Sequence, residues 1–501
     1  MRSRWWPLVA ICLGSFMLLL DVTIVTVAIP DMAADLHASF ADLQWVLDVY
    51  ALVLAALLLG AGSAADIVGR RRAYVAGLAL FALGSLACGL APTAGVLITA
   101  RGLQGIGGAL MFATTTAMLN ATYSGRDRGV AFGIWGAVNG AGSALGPLIG
   151  GLLTEHAGWR WIFLVNLPIT VVTIVLTLVV CAETRRPGVR LDVAGVLGFT
   201  VFAGALTYGL IRAGDHGWSA PGTWLFLVLA VLALAVFLSI ERRAEFPSLD
   251  LRLFRSGSFT ATITAGLLLM ASAFAILAFT SVWLQGVLGL SPIAAGVALL
   301  PLAGCAFLVS ALAGRVVQGI SPRWTVGGGM VLIGVGGWLQ ALIGPNSSAS
   351  ALLPGLAVVG LGCGLAIPAL TSAAMSAAPP QLGGMVAGAL NTSRQLGYAL
   401  GVAVLGLVFR ATVETHLSDP SLVGAVVAGQ APRTRAVGEA IVAGLNIGYL
   451  VAGAAGVLGG LLVLWLVRPA TAPDTSQPTS TASRATTTTP PITTSPAPTH
   501  N

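Results

Sequence analysis

One pattern recurs along nearly the whole chain: runs of about 20 apolar residues, separated by short polar stretches. A helix of about 20 residues crosses the roughly 30 Å of hydrocarbon in a bilayer. In lipid the backbone must satisfy its own hydrogen bonds, which leaves helices and closed barrels, and these runs are far too long for barrel strands. Charged residues make up 9% of the chain, against about 25% in a soluble domain. The sequence therefore predicts an all-α polytopic membrane protein. Its spans are expected near 6–29, 43–65, 73–91, 97–119, 129–153, 159–181, 192–211, 222–240, 259–283, 293–313, 324–344, 351–374, 386–410 and 444–467, fourteen in all. Arg2 and Arg4 before the first run resemble a signal-peptide start, but the apolar core is too long and no small-residue cleavage site follows, so a retained helix is expected.

Charge gives the expected orientation. All 25 basic residues are Arg, a hint of a GC-rich bacterial genome. Arg70, Arg71, Arg72, Arg126, Arg128, Arg185, Arg186, Arg190, Arg242, Arg243, Arg252, Arg255 and Arg323 fall in even-numbered connections, on the side of both termini. By the positive-inside rule that side is cytoplasmic, in a bacterial inner membrane. The first outer loop, PDMAADLHASFAD, carries acids and no Arg. The Arg form no patch with interleaved aromatics, so the net charge of +7 does not point to nucleic acid. Cys12, Cys88, Cys181, Cys305 and Cys363 lack metal-ligand spacing and are expected as buried thiols. No His, Asp, Glu or Ser constellation suggests an enzyme or a metal site. Trp5, Trp6, Trp45, Trp159 and Trp161 fall at span ends, as interface anchors do.

The two ends of the chain echo each other. GAVN at 136–139 returns as GALN at 388–391, an offset of 252, and GSAADIVGRR from Gly62 returns in that register as GRVVQGISPR from Gly314. GIGGA from Gly105 returns as GCGLA from Gly362. Parallel repeats of this kind build transporters with sites between the halves. The expected organisation is a six-helix bundle over 1–185, a two-helix insert over 186–250, a second six-helix bundle over 251–468 and a disordered Thr/Pro/Ser-rich tail over 469–501.

Three motifs carry chemistry. After the second span, Gly62, Asp66, Gly69, Arg70 and Arg71 form Gly-x-x-x-Asp-x-x-Gly-Arg-Arg, a tight turn in which the acid can pair with an Arg and with the positive end of a helix. In the second copy Gln318 replaces the acid, so a weaker copy is expected there. In the fifth span Gly142, Gly146, Pro147, Gly150 and Gly151 lay a flat stripe on one helix face beside a bend. In ARGLQGIGGALM, Arg101 lies just inside an apolar helix, where a cation faces a cavity or a partner.

These motifs resemble the major facilitator superfamily. Together with LDVTIVTVAIP, QWVLDVY and WRWIFLVNLPI they resemble its fourteen-span drug:proton antiporter branch, of the EmrB/QacA type, over nearly all of residues 6–467. The resemblance implies a 6+2+6 arrangement of two pseudo-symmetric bundles around a central cavity. It implies a cytoplasmic latch at Asp66 and Arg70, an antiporter helix at Gly142–Gly151 and proton coupling through Arg101. Asp21, near mid-depth in the first span, is read as the proton-exchanging acid. Neutral, it is tolerable in an apolar helix; deprotonated, it leaves a charge for a cationic cargo or a returning proton, so the two ligands oppose each other. Asp48, Asn139, Asn391 and Arg394 are expected to line the cavity. The chain is thus expected to be a monomeric, cofactor-free exporter, driven by the proton gradient, of amphipathic antibiotics or lipophilic cations. The same fold exporting a lipid, siderophore or peptide-like metabolite is the alternative.

Overall fold

A computed structural model describes residues 4–38, 40–185, 192–245, 247–316, 320–379, 382–417, 419, 422–423, 426 and 431–467. The side chains of Asp48, Pro147 and Arg315 and the surroundings of Gly314 also lie outside the described set, as do Gln318 and the tail over 469–501. The expectations made for them are carried by the sequence alone.

Every described element of regular structure is helical. The first part of the chain forms α1 (Trp6–Leu36), α2 (Phe40–Val68), α3 (Arg70–Gly89), α4 (Ala94–Thr122), α5 (Gly125–Ala157), the short α6 (Trp161–Leu164) and α7 (Asn166–Val180). Then come α8 (Val193–His216) and α9 (Pro221–Glu241). The remainder forms α10 (Gly257–Ala273), α11 (Leu277–Val282), α12 (Pro292–Val316), α13 (Pro322–Gln340), α14 (Leu353–Ser376), α15 (Gly383–His416) and α16 (Arg435–Leu466). Side-chain caps set several starts: Thr93 accepts from Val96 N–H, Asp192 from Gly195 N–H and Thr434 from Val437 N–H.

Among the described residues, twelve helices are long and apolar enough to cross a membrane. Helices α5 and α13 stand where two further spans were expected but are not among the twelve. Glycine dilutes them: α13 carries Gly327, Gly328, Gly329, Gly334, Gly336 and Gly337 in 19 residues. The stretch 257–287 is one of the twelve, but its helix is not regular. After α10, Ala275 N–H bonds back five residues to Met270 O (3.2 Å), and α11 runs into a π-helical turn at Trp283–Val287. No proline announces either irregularity.

In the first part α1 packs on α5 and α7, and α4 on α2 and α3; in the last part α13 packs on α14 and α16, and α10 on α15 and α16. The sequence echo reappears in this packing. A Cβ on Gly107 of α4 would lie 2.7 Å from Gly77 O of α3, and one on Gly329 of α13 would lie 2.8 Å from Gly362 O of α14. Both pairs of helices touch through backbone, which small residues permit. Helices α5 and α2 join the two parts by packing on α12 and α15. The insert helices α8 and α9 pack on each other, with α8 against α2 and α15, and most of α9 stays exposed.

Candidate functional site

Asp21 is the midpoint residue of α1 and is fully buried. Arg101 of α4, 1% exposed, donates to Asp21 Oδ2 at 2.5 Å. Asp21 Oδ1 accepts from Gln104 Nε2 (3.0 Å) and from Asn166 Nδ2 of α7 (3.1 Å). Gln104 also donates to Ser85 Oγ of α3 (2.7 Å) and accepts from Arg101 (2.8 Å). Arg101 Nε donates to the Val46 carbonyl of α2 (3.1 Å), and the guanidinium lies over the Tyr50 ring at 4.3 Å. Helices α1, α2, α3, α4 and α7 thus meet in one polar knot. Every partner of the Asp21 carboxyl donates, the pattern that suits a carboxylate. An ion pair held out of water needs such additional hydrogen bonds to offset desolvation.

Between α2 and α3, Arg70 Nε pairs with Asp66 Oδ1 at 2.9 Å, and both side chains are mostly buried. Gly69 turns the chain there with φ +114°, a conformation that favours glycine. Glu183 closes the arrangement. Its carboxylate accepts the Arg71 and Arg72 backbone N–H groups (3.1 and 3.2 Å), so the acid at the positive start of α3 is Glu183, while Asp66 pairs with Arg70. A Cβ on Gly69 would come within 2.6 Å of Glu183 Oε1, so the turn and the acid fit each other. Gly62 lies one turn before Asp66 in α2.

The glycine stripe of α5 faces α1. Cβ atoms on Gly142 and Gly150 would lie 2.9 Å from Phe16 O and 2.8 Å from Ile24 O, and one on Gly146 would lie 2.7 Å from Thr23 Cβ. The stripe therefore grips α1 along the segment that carries Asp21. Gly151 is buried beside it, and Pro147 stands in the same helix.

Asn139, Asn391 and Arg394 stand apart from this knot. Asn391 of α15 is fully buried and donates to the Phe112 carbonyl of α4 (3.2 Å), across the seam between the first and last parts. Arg394, 4% exposed, donates to Thr371 Oγ1 (2.9 Å) and the Ile367 carbonyl of α14. Its stem passes Gly266 of α10. Asn139 of α5 is half-buried, with Oδ1 free of hydrogen bonds. Asp48 lies on α2, and its side chain is outside the described set.

A profile of the Major Facilitator Superfamily matches residues 11–402. The chain belongs to the major facilitator superfamily. Over 425 residues it is 37% identical to "Multidrug resistance protein Stp" of Mycobacterium tuberculosis, covering 83% of this chain and 78% of that one. It is 34% identical to the "Tetracenomycin C resistance and export protein" of Streptomyces glaucescens, covering 93% and 92%. Among solved structures, the human organic anion transporter MFSD10 shares the fold, with a TM-score of 0.65 at 15% identity over 92% of this chain and all of that one. This major facilitator protein is accordingly a multi-pass membrane transporter related to drug-resistance exporters; the family is not enzymatic and its members need no cofactor.

In this member of the superfamily, sequence reading found both partners of the buried pair but missed Gln104, Asn166 and Ser85. Gln104 and Asn166 lie inside quoted motifs, ARGLQGIGGALM and WRWIFLVNLPI, where an amide in an apolar run is the signal. Glu183 was missed because its partners lie 111 and 112 residues away. Trp159 departs from the anchor expectation: it is 4% exposed, and its Nε1 donates to Asp35 Oδ2 (3.1 Å). Trp6 and Trp161, at 46% and 50% exposed, are placed as anchors are.

Proposed function

We propose that the protein is a proton-coupled antiporter that exports amphipathic antibiotics or lipophilic cationic drugs across a bacterial inner membrane, with both termini cytoplasmic. It works as a monomer of fourteen spans arranged 6+2+6. Residues 1–185 and 251–468 are the two bundles that rock about a central cavity, 186–250 is an insert, and 469–501 is a dispensable tail. The observation that carries this reading is the Asp21–Arg101 pair, fully buried at the middle of α1 in a chain whose relatives are named as resistance and export proteins.

A proton reaching Asp21 removes the charge that holds Arg101. The pair then opens, the knot joining α1, α3, α4 and α7 loosens, and the first bundle is free to change its packing. The Asp66–Arg70 pair and the Glu183 contact form the latch that holds the Arg-rich face shut until then, and the α5 stripe transmits movement of α1. Asn139, Asn391, Arg394 and Asp48 contribute to the cavity wall. A proton supplies about 2.3 kcal/mol per 100 mV and about 1.4 kcal/mol per pH unit; exchange for a monovalent cation cancels the electrical part.

The test is a panel of toxic compounds on cells expressing the protein, with and without a protonophore. Resistance to several compounds that collapses with the gradient supports the mechanism; resistance that persists removes proton coupling. Asp21→Asn is expected to abolish gradient-driven export, and full export by that variant removes the site assignment.

A further inference from the structure

Inside the buried knot one acceptor goes unused. Asn166, the first residue of α7 and 1% exposed, donates through Nδ2 to Asp21 Oδ1 (3.1 Å) and Ser85 Oγ (3.3 Å), while its own Oδ1 is buried without a hydrogen bond. A polar atom left so is costly. The other amide of the knot is used at both ends. Gln104 Oε1 accepts from Arg101 Nη1 (2.8 Å), and its Nε2 donates to Asp21 Oδ1 (3.0 Å) and Ser85 Oγ (2.7 Å). Gln104 is thereby fixed in one orientation, whereas Asn166 is held by one end only.

The two oxygens of Asp21 differ as well. Oδ2 faces the Arg101 guanidinium, and Oδ1 faces only neutral amides. The guanidinium repels a proton at Oδ2, so an arriving proton goes to Oδ1. Protonated, Oδ1 can still accept from Gln104, but its new O–H needs an acceptor and meets an N–H of Asn166. Among the described residues, the charged and titratable groups facing Asp21 are Arg101 of α4, Tyr50 of α2 and Cys88 of α3. Helix α7 carries no ionisable side chain, and those of α5 (Arg126, Asp127, Arg128, Glu155 and His156) lie in its first and last turns. Neither Tyr50 nor Cys88 hydrogen-bonds Asp21: the Tyr50 hydroxyl lies against Gly108, and Cys88 Sγ is engaged with Gln104 Oε1 (3.6 Å).

We propose that Asn166 is the positioning residue that registers the proton: when Asp21 Oδ1 is protonated, the Asn166 amide turns over and its idle Oδ1 accepts the new O–H. The two ends of an amide are alike in size, so half a turn about the last side-chain torsion exchanges them without extra space. Ser85, which accepts from Asn166 before the turn, donates to it afterwards and keeps its bond from Gln104. One amide end is idle in either state, so the proton on Asp21 decides between them. The only covalent bond that changes is the O–H made at Asp21, and loss of that proton reverses the step. The tie between α1 and α7 survives with its direction reversed, and the loosening falls on Arg101 and α4. This inference rests on the reading of Asp21 as the proton-exchanging acid.

The test is pH-difference infrared spectroscopy of the full chain in lipid, with asparagine isotopically labelled at the side-chain carbonyl. On acidification the native protein is expected to gain a carboxylic-acid band that Asp21→Asn lacks. At the same pH midpoint one labelled amide carbonyl is expected to move to lower frequency, because a free C=O gains a hydrogen bond. That movement should vanish in Asn166→Leu. An Asp21 band that titrates while every labelled amide stays still overturns the proposal and leaves the reading of Asp21 standing; no Asp21 band at any pH the fold tolerates overturns both. Export supplies a second measurement. Asn166→Gln keeps both amide ends and is expected to export about tenfold faster than Asn166→Leu, which has the shape and neither end, a difference that one hydrogen bond allows. Equal export by these two variants overturns the proposal. The infrared result decides the matter should Asn166→Gln fail to fold.

Discussion

The Asp21–Arg101 pair ties α1 to α4, and substitutions separate that structural role from the chemical one proposed for it. Removing either partner strands a buried charge, which costs about 3–5 kcal/mol. Asp21→Asn and Arg101→Gln should each lower unfolding stability in detergent by about that amount. The double variant strands no charge and should recover most of the loss, a coupling that a double-mutant cycle reads directly. All three should lack gradient-driven export; export by the double variant would assign the pair to folding alone. A second acid shows how exposure changes the arithmetic. The Arg160 and Trp159 hydrogen bonds to Asp35 hold its carboxyl below the usual carboxylate range. A depressed folded value means that the stabilisation is present above the unfolded carboxylate range and disappears as pH falls through the folded value. Comparing native protein with Asp35→Asn, the stability difference should therefore persist at neutral pH and vanish in acid. A difference that grew on acidification would contradict the geometry.

At the scale of elements, sequence spoke clearly about helices and poorly about how they meet. Apolar runs of about 20 residues fix where helices lie, because lipid allows the backbone no other course. They carry no mark for the wide turns at Ala275 and Trp283–Val287, which arise where backbone bonding slips by one residue without proline or a polar interruption. Nor do they reveal that Glu183, in the connection after α7, closes the turn between α2 and α3; that contact exists only once the bundle is assembled. The glycine stripe of α5 was legible because four-residue spacing defines a helix face. Its partner, α1, was not. The stripe's contact predicts an asymmetry between neighbouring glycines. Gly146→Ala pushes a methyl against Thr23 and stands 3.0 Å from Ile24 N, whereas a Cβ on Gly140 meets nothing within 4 Å. Overpacking of the first kind costs about 1–3 kcal/mol. Export and thermal stability should both fall in Gly146→Ala and stay near native in Gly140→Ala. Equal behaviour of the two would mean that the stripe does not grip α1.

Across the whole molecule, the first and last parts touch along a seam with a direction. Asn391 bonds the Phe112 carbonyl, Ser310 Oγ donates to the Gly133 carbonyl at 2.9 Å, and Gly388 packs near Leu59. Each of these residues lies in the half of its helix nearer the face where Arg70, Arg71 and Arg72 begin α3. The Asp66–Arg70 pair stands on that same face, so the ion pair proposed as a latch and the seam lie at one end of the molecule. The proposed alternating access requires this seam to part in every cycle, and a covalent tie across it is the direct probe. A Cβ on Gly136 would lie 3.1 Å from Ser310 Oγ, the contact a Cβ makes with the facing sulfur across an S–S bond of about 2.0 Å. The native cysteines are buried or half-buried and free, which leaves a quiet background. Oxidising Gly136→Cys/Ser310→Cys should stop export while the reduced protein transports, and reductant should restore activity. Full export by a completely cross-linked protein would show that the two halves never separate here, and the rocking mechanism would fall with that result.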